Sequence, residues 1–211
     1  MGLILVTPPD SLPVTLEEVK EQLNIQHEDE DEMLTRLIEA ATESLDGPQG
    51  DLCGRALKPQ TWDFYLDAFP GATTFSYPNG PTDGIRLPLP PLIEIEGVFY
   101  VDTDTETEVE LAISEYDVDL AGTPHGWVVP KTGGWPTPMS TINAVRVRFV
   151  AGYADTEGSP AETTVPARLR QAIIMLVLDM YGRGSAFVDR TQTPTTDTVR
   201  YLTQHYVLRS V

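Results

Sequence analysis

Apolar residues recur at helical spacing through the first fifty residues. Leu16, Val19 and Leu23 share one face of a short helix, and Thr15-Leu16-Glu17-Glu18 before them is a capping box. A second helix is expected from the acidic run Glu28–Glu32, because acids in a first turn suit the partly positive helix N-terminus. Met33, Leu37 and Ala41 with Leu34, Ile38 and Leu45 form its apolar stripe, and Gly47-Pro48 and Gly54 break it off. From Thr61 the period falls to two. Trp62, Phe64 and Leu66 alternate with Asp63, Tyr65 and Asp67. Further strands are expected over 84–87, 93–102, 108–113, 116–120, 127–130 and 144–150. Turn clusters separate them, at Pro78-Asn79-Gly80-Pro81, Pro88–Pro91, Gly133-Gly134 and Gly152. The helical period returns after Pro166. Ala167–Tyr181 is apolar on nearly every side and reads as a central helix, closed by Gly182 and Gly184. A last helix is expected over Thr196–Tyr206.

This order predicts an α+β fold: a helical bundle from the N- and C-terminal helices, with an inserted antiparallel β subdomain. The divisions are 1–57 (an extended arm over 1–13, then helices), 58–153 (the β insertion) and 154–211 (helices and tail). Leu37, Ile38, Ala41, Ile173, Leu176 and Val177 are expected to be buried together.

Charge narrows the function classes. The chain has 14 basic and 32 acidic residues among 211, net −18. That argues against gripping nucleic acid through phosphates and against docking on anionic lipid. The imbalance is uneven. Residues 1–70 hold 4 basic and 15 acidic residues, whereas 161–211 hold 6 and 4, a polarity that suits head-to-tail association of copies. The single cysteine, Cys53, rules out an internal disulfide framework, and with His27, His125 and His205 far apart a His/Cys metal cluster is not expected. The longest strictly apolar run, Ala172–Leu178, is too short to span a bilayer, and no targeting segment is recognised, so a soluble protein made in the cytoplasm is expected.

Catalytic motifs are missing: no G-x-S-x-G, H-E-x-x-H, Walker A or G-x-G-x-x-G occurs. Asp102-Thr103-Asp104-Thr105-Glu106-Thr107-Glu108 resembles the start of a calcium loop. Its sixth position is Thr107 rather than Gly and its twelfth is Ile113 rather than Glu, so it reads as a solvated hairpin tip. No catalytic residue, cofactor or metal is assigned. Trp62, Trp127 and Trp135 with the many carboxylates leave a carbohydrate-binding or hydrolytic module as a rival reading, and His125 reads as a loop residue.

Several stretches occur in a telling order: "PVTLEEVKEQLNI", "DEDEMLTRLIEAATESLDGPQGDLCGRAL", "QTWDFYLDAFP", "IRLPLPPL", "VFYVD", "YDVD", "NAVRVRFVAGY" and "VPARLRQAIIMLVLDMYGRG". Together, from Val14 to about Gly184, they resemble the head-tail connector (adaptor, or head-completion) proteins of long-tailed phages and gene transfer agents. The departures are Cys53 and the Thr-rich stretch 191–198. The resemblance implies a non-enzymatic structural protein of the virion neck, assembled in the host cytoplasm. It implies a dodecameric ring that binds the portal protein, passes DNA through its lumen without reading sequence, and presents a surface to a neck stopper or tail-completion protein. No membrane is involved. A stopper or tail terminator is the neighbouring alternative. The portal contact is expected at the C-terminal segment, through Thr203, His205, Tyr206, Val207, Leu208 and Arg209. There the charge turns positive and apolar residues outlast the helix, and the resemblance points to the same tail.

Overall fold

A computed structural model describes residues 2–52, 54–71, 83–120, 125–156, 164–184 and 195–208. The chain divides into two compact units. One comprises Met1–Pro9 with Pro59–Gly152, the other Asp10–Lys58 with Tyr153–Val211.

The second unit holds the helices α1 (Leu16–Leu23), α2 (Asp31–Leu45), α3 (Ala167–Gly184) and α4 (Thr195–Thr203). The capping box forms as written in the sequence: the Glu18 N–H donates to Thr15 Oγ1 at 3.2 Å, and the Thr15 N–H to Glu18 Oε2 at 2.9 Å. Asn24, left-handed at φ 57°, ends α1. Within the acidic run, Glu28–Glu30 precede the helix and only Asp31 and Glu32 lie in its first turn. Beyond α2, Asp46 Oδ1 accepts the Leu57 N–H at 2.7 Å, which folds the returning segment back on the helix end. Gly50 passes close by. A side chain there would lie 2.4 Å from the Asp46 carbonyl oxygen.

Leu34, Ile38, Ala41 and Leu45 of α2 are buried with Leu169, Ala172, Ile173 and Val177 of α3. Leu37 and Leu176, expected in the same core, are only partly buried against it, and Met33 is exposed. Lys58 is buried and donates to both Asp155 carboxylate oxygens, at 2.6 and 2.7 Å. That pair joins the N-terminal and C-terminal stretches of the unit.

The first unit is all antiparallel. Its five-stranded sheet has the order β1 (Gly2–Thr7), β2 (Gln60–Leu66), β8 (Val145–Ala151), β4 (Leu92–Val101), β5 (Glu108–Glu110). Its three-stranded sheet runs β3 (Ile85–Arg86), β7 (Trp127–Pro130), β6 (Tyr116–Asp119). Strand alternation is clean in β8. Val145, Val147, Phe149 and Ala151 are buried, while Arg146 and Arg148 lie on the other face. Leu5, Trp62, Phe149 and Ile95 pair in one row across β1, β2, β8 and β4.

The fold expected from sequence, a helical bundle carrying an inserted β subdomain, needs correction. Four α-helices and eight strands in two antiparallel sheets, counted among the described residues, make a mixed α/β protein. Residues 2–7, read as part of an extended arm, are strand β1, so the chain starts in the sheet, leaves it for α1 and α2, and returns. The β unit is therefore built from two separate stretches and is not an insertion into a bundle. The physical reason is that an extended apolar segment satisfies its backbone groups by pairing, and its partner β2 lies fifty residues away, beyond any local pattern.

Candidate functional site

The C-terminal segment is fixed to its own unit by one buried arginine. Arg55 Nε donates to the Tyr206 carbonyl oxygen at 3.1 Å, its guanidinium lies 5.9 Å from the Tyr206 ring centre, and Nη1 donates to the Tyr153 hydroxyl at 3.1 Å. Burial pushes the Tyr153 phenol above its ordinary pKa, against the lowering influence of Arg55. The Leu208 N–H donates to the Leu52 carbonyl oxygen at 3.2 Å. Tyr206 and Val207 pack against the helical core, and Thr203 is buried with its hydroxyl donating to the Val199 carbonyl oxygen at 2.9 Å. His205 is exposed. Arg209 lies outside the described residues. Of the six residues expected to contact a partner, four thus have contacts within their own chain, and His205 faces outward.

One face of the five-stranded sheet carries a charge network. Asp63 of β2, almost fully buried, accepts from Arg148 Nε and Nη2 at 2.8 Å each and from Arg146 Nη1 at 3.2 Å. Arg146 also reaches Glu108 of β5, at 2.9 and 2.5 Å, and lies 4.0 Å over the Phe99 ring. Hydrogen bonding from Arg148 is the largest influence holding the Asp63 carboxyl below its ordinary pKa, and burial opposes it. The two arginines are raised in turn, each first by its carboxylate hydrogen bonds. With each charge answered by an opposite one, the network ties β2, β8 and β5 together and leaves no poised acid or base. The sequence carried its signal in the alternating Arg146-Val147-Arg148 facing Asp63, but the strand pairing that joins them was invisible there.

The remaining candidates are tied up in local structure. Asp102 Oδ1 accepts the N–H groups of Asp104 and Thr105, both at 2.9 Å, and these bonds hold its carboxyl below the usual range. The carboxylate is therefore committed to its own turn. Among the described residues no group of three or more His, Cys, Asp or Glu side chains is placed to hold a metal ion. Millimolar calcium is accordingly expected to leave the thermal midpoint unchanged, since a ligand that does not bind the native state cannot shift it; calorimetry with and without calcium checks this. Trp62 and Trp127 are buried. Trp135 stacks on Phe69 at 4.6 Å, so the three tryptophans form no sugar platform. His125, just before β7, contacts the Leu87 carbonyl oxygen and Arg86 at the end of β3. A groove of about 520 Å³ along α1 is lined by Leu16, Lys20, Glu21, Ile25, Glu28 and Asp31, with Lys20 bound to Asp31 at 2.6 Å. Among the described residues, no helix is long and apolar enough to cross a membrane.

Among curated proteins none matches the chain. A solved structure titled "Neck of empty GTA particle computed with C6 symmetry" contains a chain with the same fold. It is 20% identical, with a TM-score of 0.69, and the match covers 100% of this chain and 98% of that one. The likeness extends through both units. Residues 13–115, just under half of the chain, match the family model described as phage gp6-like head-tail connector protein. That match, to a family of phage head-tail connectors, bears out the resemblance read from the ordered sequence stretches.

Proposed function

We propose that this chain is a structural adaptor of the virion neck. Copies form a ring that sits on the portal, surrounds the DNA path and offers a surface to the next neck or tail component. The observation that carries this reading is the connector-family match over residues 13–115, in a chain whose complete fold is shared with a chain from a GTA particle neck. The physical chemistry agrees. A net charge of −18 suits a channel wall along which DNA slides without being held. The clustered charges of the β unit are paired with one another, which suits a scaffold without catalysis.

The portal contact is proposed for residues 203–209. Truncating 205–211 is not a clean test, because it also deprives Arg55 of the Tyr206 carbonyl and ring. Placing a negative charge at the exposed position, His205→Glu, is cleaner. The protein is expected to melt as the wild type does, since exposed charges contribute little to stability. Tailed particles are expected to fall on the order of tenfold or more, because a contact weakened in every copy is weakened many times over. Filled capsids without tails would accumulate. Normal yields of tailed particles would remove the C-terminal contact from the proposal. Deleting the whole gene tests the wider reading: filled, tail-less heads support it, and normal tailed particles contradict it.

A further inference from the structure

The five-stranded sheet ends in two unlike edges. On one side β1 pairs, among the described residues, only with β2, and Ile4, Leu5 and Val6 are 56%, 43% and 41% exposed. Residues 1–9 include no charged side chain, in a chain of net −18. On the other side, β5 covers only Phe99–Val101 of the ten-residue strand β4. Between Leu92 and Gly97, β4 pairs with β8 on one side, and no strand among the described residues pairs with its other side. Natural sheet edges are commonly guarded by charge or shortness. The other edges follow that rule: β5 carries Glu108 and Glu110, β6 carries Asp117 and Asp119, β3 has two residues, and the β4 stretch carries Glu94 and Glu96 with register shifts between Leu92 and Glu94 and between Ile95 and Gly97, which leaves β1 as the edge without charged side chains. The stretches 2–7 and 92–97 are of equal length.

We propose that a second copy of this chain occupies the free edge of β4: β1 of one copy adds to Leu92–Gly97 of the next, so that the sheet continues from copy to copy. This rests on the ring reading above and names the contact that would build the ring. Strand sense agrees. Successive antiparallel neighbours make β1 and β4 run in opposite directions, so a copy added in the same orientation meets β4 antiparallel. Row and face agree as well. Leu5 and Ile95 belong to one row, as do Thr7 and Glu94, so continuing the rows sets Leu5 beside Ile95 on one face and Thr7 beside Glu94 on the other. Charge agrees too, because β4 presents Glu94 and Glu96, and an uncharged strand places no like charge opposite them. Such a contact joins two different surfaces, the kind that closes into a ring, whereas β1 pairing with β1 gives an isolated two-fold dimer.

Disulfide trapping in assembled particles tests this. With Cys53→Ser as background, Leu5→Cys and Ile95→Cys are placed together in the chain, and Thr7→Cys with Glu94→Cys forms a second pair at exposed positions. Within one copy β2 and β8 separate the two cysteines by about 14 Å, beyond the reach of a disulfide. Purified particles are oxidised and run on non-reducing gels. The proposal expects a ladder of dimers, trimers and higher species from either pair, and no such ladder from any single cysteine. If the chain is present in particles but neither pair gives a ladder, or if Leu5→Cys alone traps dimers, the strand contact is wrong while the neck reading stands. If neither the variants nor the wild-type chain is found in particles, the neck reading itself falls, and this contact with it.

Discussion

Ile173→Asp is expected to leave the helical unit unfolded at room temperature. Ile173 is completely buried in the core that α2 and α3 form with Leu34, Ile38, Leu45 and Val177. A carboxylate there has no cationic partner in that apolar set, and an unpaired buried charge costs several kcal/mol even after its pKa rises. A domain has roughly 5–15 kcal/mol of total stability, so most of it is consumed. Ile173→Val is the control. It removes one methyl group and is expected to cost about 0.5–1.5 kcal/mol. Circular dichroism and thermal melting distinguish the two. A cooperatively melting Ile173→Asp protein with full helix content would contradict the core as described.

Asp63→Ala is expected to be the most damaging single change in the β unit outside its apolar core. Removing it leaves Arg148 without its two-point partner and Arg146 with Glu108 alone. Breaking a largely buried pair on one side costs roughly 2–4 kcal/mol, reduced here because Arg148 is one-third exposed and Glu108 remains. The cost depends on pH in a defined direction. The folded Asp63 carboxyl sits below its unfolded value, so its stabilisation is complete above the unfolded carboxylate range, near pH 4, and is lost as pH falls through the folded value. The gap between wild type and Asp63→Ala in thermal midpoint is therefore expected to be largest near pH 7 and to narrow below pH 4. A gap that stays constant down to pH 2.5 would show that ionised Asp63 does not supply the stabilisation.

Local pattern carried most of the elements and little of their assembly. The capping box at Thr15, the helical stripe of α2, the apolar α3 and the alternation in β2 and β8 were legible because each is written within a few residues of itself. Long-range pairing was not. Nothing local in Gly2–Thr7 says that it lies against Gln60–Leu66, so the segment was read as an arm and the β unit as an insertion. Arg146 and Arg148 lie in a stretch legible as a strand, but their role, with Asp63 as shared partner, required the register of β2 against β8. For the C-terminal tail, apolar Tyr206 and Val207 beyond the last helix suggested a surface awaiting a partner. Arg55, distant in sequence, provides part of the internal reason for those residues. The connector resemblance was legible because it rests on the order of motifs, which survives without knowledge of their contacts.

The proposed position of this chain in the neck is open to direct test by cryo-electron microscopy reconstruction of the neck of particles that contain it. A ring of density between portal and tail is expected, into which both units of this chain fit, repeated around the DNA path. A complete reconstruction in which neck density is fully accounted for by other chains, with this one elsewhere in the particle or missing from it, would rule out a neck role for this chain.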